Sequence, residues 1–238
     1  MPLETDAFAA PNARVCVWLL MALCGSAVLR AEEPWTAALA RMPLATPATE
    51  LSWSNAIPLL LPALQSNVVV KGLVFLPGAT DEFYLFRRAT VRLTNASSSL
   101  LDAVRALTNQ TRLQATFRAP LLLLHTPQDR LDPALGVQHP PTAEKLRQTP
   151  GKPRLLCVDR DWDFLEPLLR KSLKVDIRPW RDEKGSWHFY RVNLASWNLD
   201  GLETLRALAL ASHTKVTIRR KQVLFELDEP GPDAAATR

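Results

Sequence analysis

Trp53-Ser54-Asn55-Ala56-Ile57-Pro58-Leu59-Leu60 is echoed later in the chain by Trp162-Asp163-Phe164-Leu165-Glu166-Pro167-Leu168-Leu169. Both stretches follow the pattern W-x4-P-L-L-x3-L, which ends at Leu64 in one and Leu173 in the other. Each then runs into a β-branched segment, Val68-Val69-Val70 or Val175-Asp176-Ile177. Self-similarity at this scale predicts an internal repeat. Ser54 and Asp163 stand four residues before their prolines, where either side chain can accept from the free N–H groups of a first helical turn. Asp163 and Glu166 have capping-box spacing. Pro62 lies deeper and is expected to bend the first helix.

The second halves of the two blocks share a plan. Val91-Arg92-Leu93 alternates, Leu100, Val104 and Leu107 fall on one helical face, and Leu113 to Phe117 alternates again. Leu121 to Leu124 reads as a buried strand. The later block offers Tyr190 to Leu194, a helix with Leu202, Leu205 and Leu208, then Val216 to Arg219 and Val223 to Leu227. The expected class is α+β: two similar small domains of βαβ-βαββ type, with helices packed on small mixed sheets.

The blocks occupy 48–126 and 154–228. Pro34, Pro43 and Pro47 mark 32–47 as a tether, and six prolines from Pro127 to Pro153 mark 127–153 as a Pro-rich linker. Ala143 to Arg147 has helical character within it. The tail, 229–238, is expected to be disordered.

Val15 to Leu23 is an unbroken apolar run, too short to span a bilayer and of the length of a signal-peptide core. Residues 1–31 therefore read as a signal peptide, cut after Ala31, which places the mature chain in the periplasm or outside the cell. No integral span is expected in the mature part. Lipid attachment at Cys24 is less favoured, because Leu23 is bulky where a small residue is needed. Of the three cysteines only Cys157 follows the cut, so the mature chain has no internal disulfide.

Asp159-Arg160-Asp161 follows an apolar strand, as in the nucleophile loop of haloacid-dehalogenase-type phosphatases. A hydrolase using Asp159 and Asp161 is the alternative to a binding role. Asp163 extends the series toward a calcium loop, but Phe164 stands where that loop requires glycine. His125, His139, His188 and His213 show no metal-ligand spacing. No phosphate-binding glycine loop or serine elbow is present. No catalytic residue, metal or cofactor is expected.

The net charge is +5 without any long like-charged run. Arg87-Arg88 and Arg219-Arg220-Lys221 flank strands at comparable places and are the candidate partner-binding residues. A nucleic-acid role through them is a further alternative, which export disfavours.

Ser99-Leu100-x3-Val104-x2-Leu107-x3-Thr111-Arg112-Leu113 resembles the short N-terminal domain of secretins and TonB-dependent transducers. Arg112 replaces that family's usual glycine, and Thr214-Lys215-Val216 keeps only the end of the pattern. The resemblance implies a non-enzymatic periplasmic module that binds a protein of the cell envelope in secretion, transport or signalling. It carries over no functional residues.

Overall fold

Leu121 to Leu124 is apolar at every position because both faces of its strand are covered. Leu122 and Leu124 enter one core, Leu121 and Leu123 a second, and all four are at most 1% exposed. The computed structural model describes residues 34–44, 50–65, 67–76, 90–91, 99–111, 113–133, 135–179 and 191–227. All belong to the compact unit that begins at Pro34, and it mixes α and β. In chain order it contains α1 (Pro34–Ala40), β1 (Leu51–Ser52), α2 (Trp53–Leu64), β2 (Gly72–Phe75) and β3 (Thr90–Val91). Then follow α3 (Leu100–Gln110), β4 (Gln114–Arg118), β5 (Leu121–His125), β6 (Leu135–Val137) and α4 (Pro140–Gln148). The remainder is β7 (Arg154–Arg160), α5 (Trp162–Leu173), β8 (Asp176–Arg178), β9 (Val192–Trp197), α6 (Gly201–Ala211), β10 (Thr214–Ile218) and β11 (Gln222–Leu227).

The strands form a five-stranded sheet in the order β4-β5-β2-β9-β7, a four-stranded sheet β6-β10-β11-β8 and a ribbon β1-β3. Side chains alternate across the five-stranded sheet. Leu73, Phe75, Leu122 and Leu124 face a core shared with α1, α2 and α3. Val74, Leu123, Cys157 and Leu194 face a core shared with α4, α5, α6 and the four-stranded sheet. Trp162 closes that second core against Phe225, with ring centroids 4.4 Å apart.

Pairing follows one scheme in both halves of the chain. β4 and β5 form an antiparallel hairpin, β5 runs parallel to β2, and β1 pairs antiparallel with β3. β10 and β11 form an antiparallel hairpin, β11 runs parallel to β8, and β7 pairs antiparallel with β9. Smaller contacts correspond too. Leu100 N–H donates to Met42 O at 2.8 Å, and Gly201 N–H to Thr149 O at 2.9 Å. The Thr111 hydroxyl donates to Leu107 O at 2.8 Å, and that of Ser212 to Leu208 O at 2.7 Å. Ser99 with Asp102 and Asp200 with Glu203 each build a capping box, at the starts of α3 and α6.

β2 meets β9 antiparallel, with Gly72 opposite Ser196 and Phe75 opposite Asn193. This pairing joins strands of the first half to strands of the second, so the two blocks share one continuous sheet. Gly72 leaves room for β5 on the other side: a Cβ there would lie 2.8 Å from Leu121 Cδ2, and 3.4 Å from Ser196 Cβ on β9.

Several segments differ from the sequence expectation. Residues 32–47, read as a tether, contain α1, which buries Trp35 and Leu39. Residues 127–153, read as a linker, contain β6 and α4. The prolines at 140 and 141 open that helix, where a missing N–H costs least, and Leu146 is buried. Val68 to Val70 is a turn, and Val68 is 86% exposed. The Asn67 side chain accepts from the N–H groups of Val69 and Val70, which competes with strand formation. The N-cap of α5 is Asp161, which accepts from Phe164 N–H at 3.1 Å, so Asp163 sits in the first turn instead. The helix α2 runs on through Pro58 and Pro62. The segment read as a signal peptide, 1–31, and the tail, 229–238, lie outside the described residues.

The capping box of α3 gives a measurable prediction. The Ser99 backbone N–H, and then its hydroxyl, hold the Asp102 carboxyl below the usual aspartate range. A depressed carboxyl contributes stability above its unfolded pKa and loses it as pH falls through the folded value. Asp102→Ala is expected to lower unfolding free energy by about 1 kcal/mol at pH 7. In urea titrations the difference from the parent chain should shrink under strongly acidic conditions.

Candidate functional site: aspartates, a basic tip and the sheet edges

Three regions hold the chemistry singled out in the sequence. The first is the end of β7. Pairing with β9 shifts register between Cys157 and Arg160, a bulge that places Asp159 at a φ of 54°. Asp159 N–H donates to Asn193 Oδ1 at 2.9 Å, and its carboxylate accepts from Arg191 Nη1, also at 2.9 Å. The Asp161 carboxylate caps α5. Arg160 stacks its guanidinium over the Phe164 ring, 4.6 Å from the centroid. The two carboxylates thus have separate local tasks, one fixing the bulge and one ending a helix. No group of three or more His, Cys, Asp or Glu side chains suited to a metal occurs among the described residues.

The second region is the tip of the β10–β11 hairpin, Arg219-Arg220-Lys221. All three side chains are exposed. Their backbone is held: the Thr142 hydroxyl donates to Arg220 O at 2.7 Å and Asp176 N–H to Lys221 O at 2.9 Å. Arg219 Nε donates to Gln138 Oε1 at 3.2 Å. The structure therefore presents this basic triplet on a fixed loop. Arg87 and Arg88, its expected companions, lie outside the described residues.

The third region is the set of sheet edges, where backbone donors and acceptors can take another strand. β8 is closed by charge. Its Ile177 carbonyl points away from β11 and accepts from Arg170 Nη2 at 3.1 Å, while Asp176 pairs with Arg170 and Arg178. β7 is closed by its bulge. β6 offers three residues. β4 is different: five residues long, without proline or bulge, it ends the five-stranded sheet among the described residues.

Comparison with protein-family models, with characterised proteins and with solved structures finds no match to this chain. The site must therefore be weighed on its own geometry.

Sequence reasoning placed a strand at 113–117 but not its position at an edge. The usable signal was Leu135-Gly-Val, an apolar triplet ahead of the second unit that the first hairpin has no described equivalent for.

The buried thiol is inert by placement. Cys157 is fully buried on β7, and burial pushes its pKa up to about 12. Among the described residues no helix is long and apolar enough to cross a membrane.

Proposed function

We propose that this chain is an exported, non-enzymatic protein-interaction module of the cell envelope. In this reading it consists of two copies of one unit similar to the short N-terminal domain of secretins and TonB-dependent transducers. The observation that carries the proposal is the common pairing scheme: hairpin, parallel third strand and an antiparallel pair of the remaining strands recur in the same order. A duplicated scaffold spends its apolar residues on two cores and leaves edges and loops as its variable surface. The aspartates near the end of β7 serve bulge and cap, which favours scaffold over hydrolase. The exposed Arg219-Arg220-Lys221 tip adds a site for an acidic partner.

Cell fractionation with a C-terminal tag tests the address. The expected result is a processed chain beginning at Glu32 in the periplasmic fraction. Crosslinking in intact cells should join it reproducibly to one envelope protein. A full-length chain confined to the cytoplasm overturns the reading, as does crosslinking no stronger than an exported control.

A further inference from the structure

The matched pairing exposes one mismatch. In the second half the outer edge of β10 is covered by β6, which runs parallel to it with Leu135 beside Val216 and Val137 beside Ile218. In the first half the corresponding strand, β4, ends its sheet among the described residues. The registers place Ala115 where Val216 stands and Phe117 where Ile218 stands. Ala115 lies opposite Leu124 as Val216 lies opposite Phe225, and Phe117 opposite Leu122 as Ile218 opposite Val223.

Antiparallel pairing alternates inward and outward backbone groups. Arg219 N–H bonds inward to Gln222 O, so Ile218 points outward, and its carbonyl accepts from Gln138 N–H at 3.0 Å. By the same alternation Ala115 and Phe117 present their N–H and C=O groups to the open side of β4. Both side chains are half-buried against the first core, so an added strand would also cover apolar surface.

We propose that β4 binds an extended segment of a partner protein, added parallel to it across Ala115 to Phe117. This rests on the interaction-module reading above and names its site and ligand class. β6 supplies the template for the ligand. Its first residue, Leu135, packs against the second core, while its third, Val137, lies beside Ile218 and stays 42% exposed. Its middle residue, Gly136, makes both of its edge bonds to β10, so proline is excluded there. Glycine itself is not required, because a Cβ at 136 would meet Thr217 Oγ1 at an ordinary 3.5 Å. The fourth residue, Gln138, accepts from Arg219, whose counterpart on β4 is the exposed Arg118. An acidic residue at that place pairs with Arg118 better than glutamine does. The ligand is thus aliphatic at the first place, any residue but proline at the second, a β-former that stays largely exposed at the third, then acidic or amide.

The probe is a synthetic peptide of this chain's residues 133–139, Pro-Ala-Leu-Gly-Val-Gln-His, added to the isotopically labelled full chain. Amide hydrogen exchange is read at Ala115 and Phe117, with Val216 and Ile218 as internal references. Without peptide, exchange at Ala115 and Phe117 should be at least tenfold faster than at the references. Saturating peptide should slow it at least tenfold. The Gln138→Glu peptide should bind severalfold more tightly, an advantage that Arg118→Ala removes. The Gly136→Pro peptide should bind at least tenfold more weakly. Equal protection without peptide overturns the proposal, as does protection that rises with protein concentration alone, which marks a second copy as the occupant. Protection at β7 or β8 in place of β4 overturns this edge while leaving the interaction reading standing. A cytoplasmic address overturns that reading and not the edge.

Discussion

Gly151→Ala is expected to lower the unfolding free energy by about 3 kcal/mol, the upper part of the range for overpacking a filled site. The added Cβ would lie 2.5 Å from Leu199 O, 2.5 Å from Thr204 Oγ1 and 3.2 Å from Asp200 O. Two of these atoms are backbone at the entrance to α6, and neither can swing aside. Gly151 N–H also donates to Leu199 O at 2.9 Å, which fixes the approach from the other side. Relief therefore requires moving the start of α6. That disturbs the Asp200–Glu203 capping box and the bond from the Thr204 hydroxyl to Asp200 O at 2.7 Å. Gly136→Ala is the matched control, since its Cβ meets only ordinary contacts, and its effect should stay within about 0.5 kcal/mol. Urea unfolding followed by circular dichroism checks both. If the two variants unfold together, the close approach of Gly151 to α6 is wrong.

The second large effect concerns Cys157. With Cys16 and Cys24 replaced by serine, Cys157 is the one remaining thiol. The thiolate is the reactive form, and burial with a pKa of about 12 suppresses both its population and its access. Reaction with an aromatic disulfide reagent near pH 8 should be slower than in the urea-unfolded chain by about a thousandfold or more, set by the fraction of open molecules. The rate should then rise in step with global unfolding. β7 is an edge strand, so early labelling, ahead of loss of circular dichroism, would show instead that this strand opens by itself.

How far the residues disclosed this arrangement depends on which physical signal each carries. Helix faces were legible, because Leu100, Val104 and Leu107 repeat at helical spacing and all three are buried. The strand at Leu121 to Leu124 was legible as buried. Val68 to Val70 misled, because β-branched composition speaks for a strand while one Asn67 side chain organises a turn. Prolines misled at 34 and 140, where they start helices and do not stiffen a connector. The joint between β2 and β9 left no local trace, since pairing across the chain depends on register between distant segments. The open edge of β4 was hidden for the same reason: Gln114 to Arg118 alternates whether or not a neighbour lies beside it. Asp159 and Asp161 were visible as a pair, but only the bulge separates their tasks.

The seam between β2 and β9 bears on how the chain is made. Synthesis runs from the N-terminus, so Leu73, Val74 and Phe75 emerge long before Val192 to Trp197. Throughout that interval the growing polypeptide carries an apolar strand that can pair with β5 on one side while its neighbour on the other side, β9, has not yet been built. A holding chaperone, or rapid delivery of the later residues, has to bridge that delay. Slowing translation between these two segments should therefore reduce yield more than slowing it after Leu227.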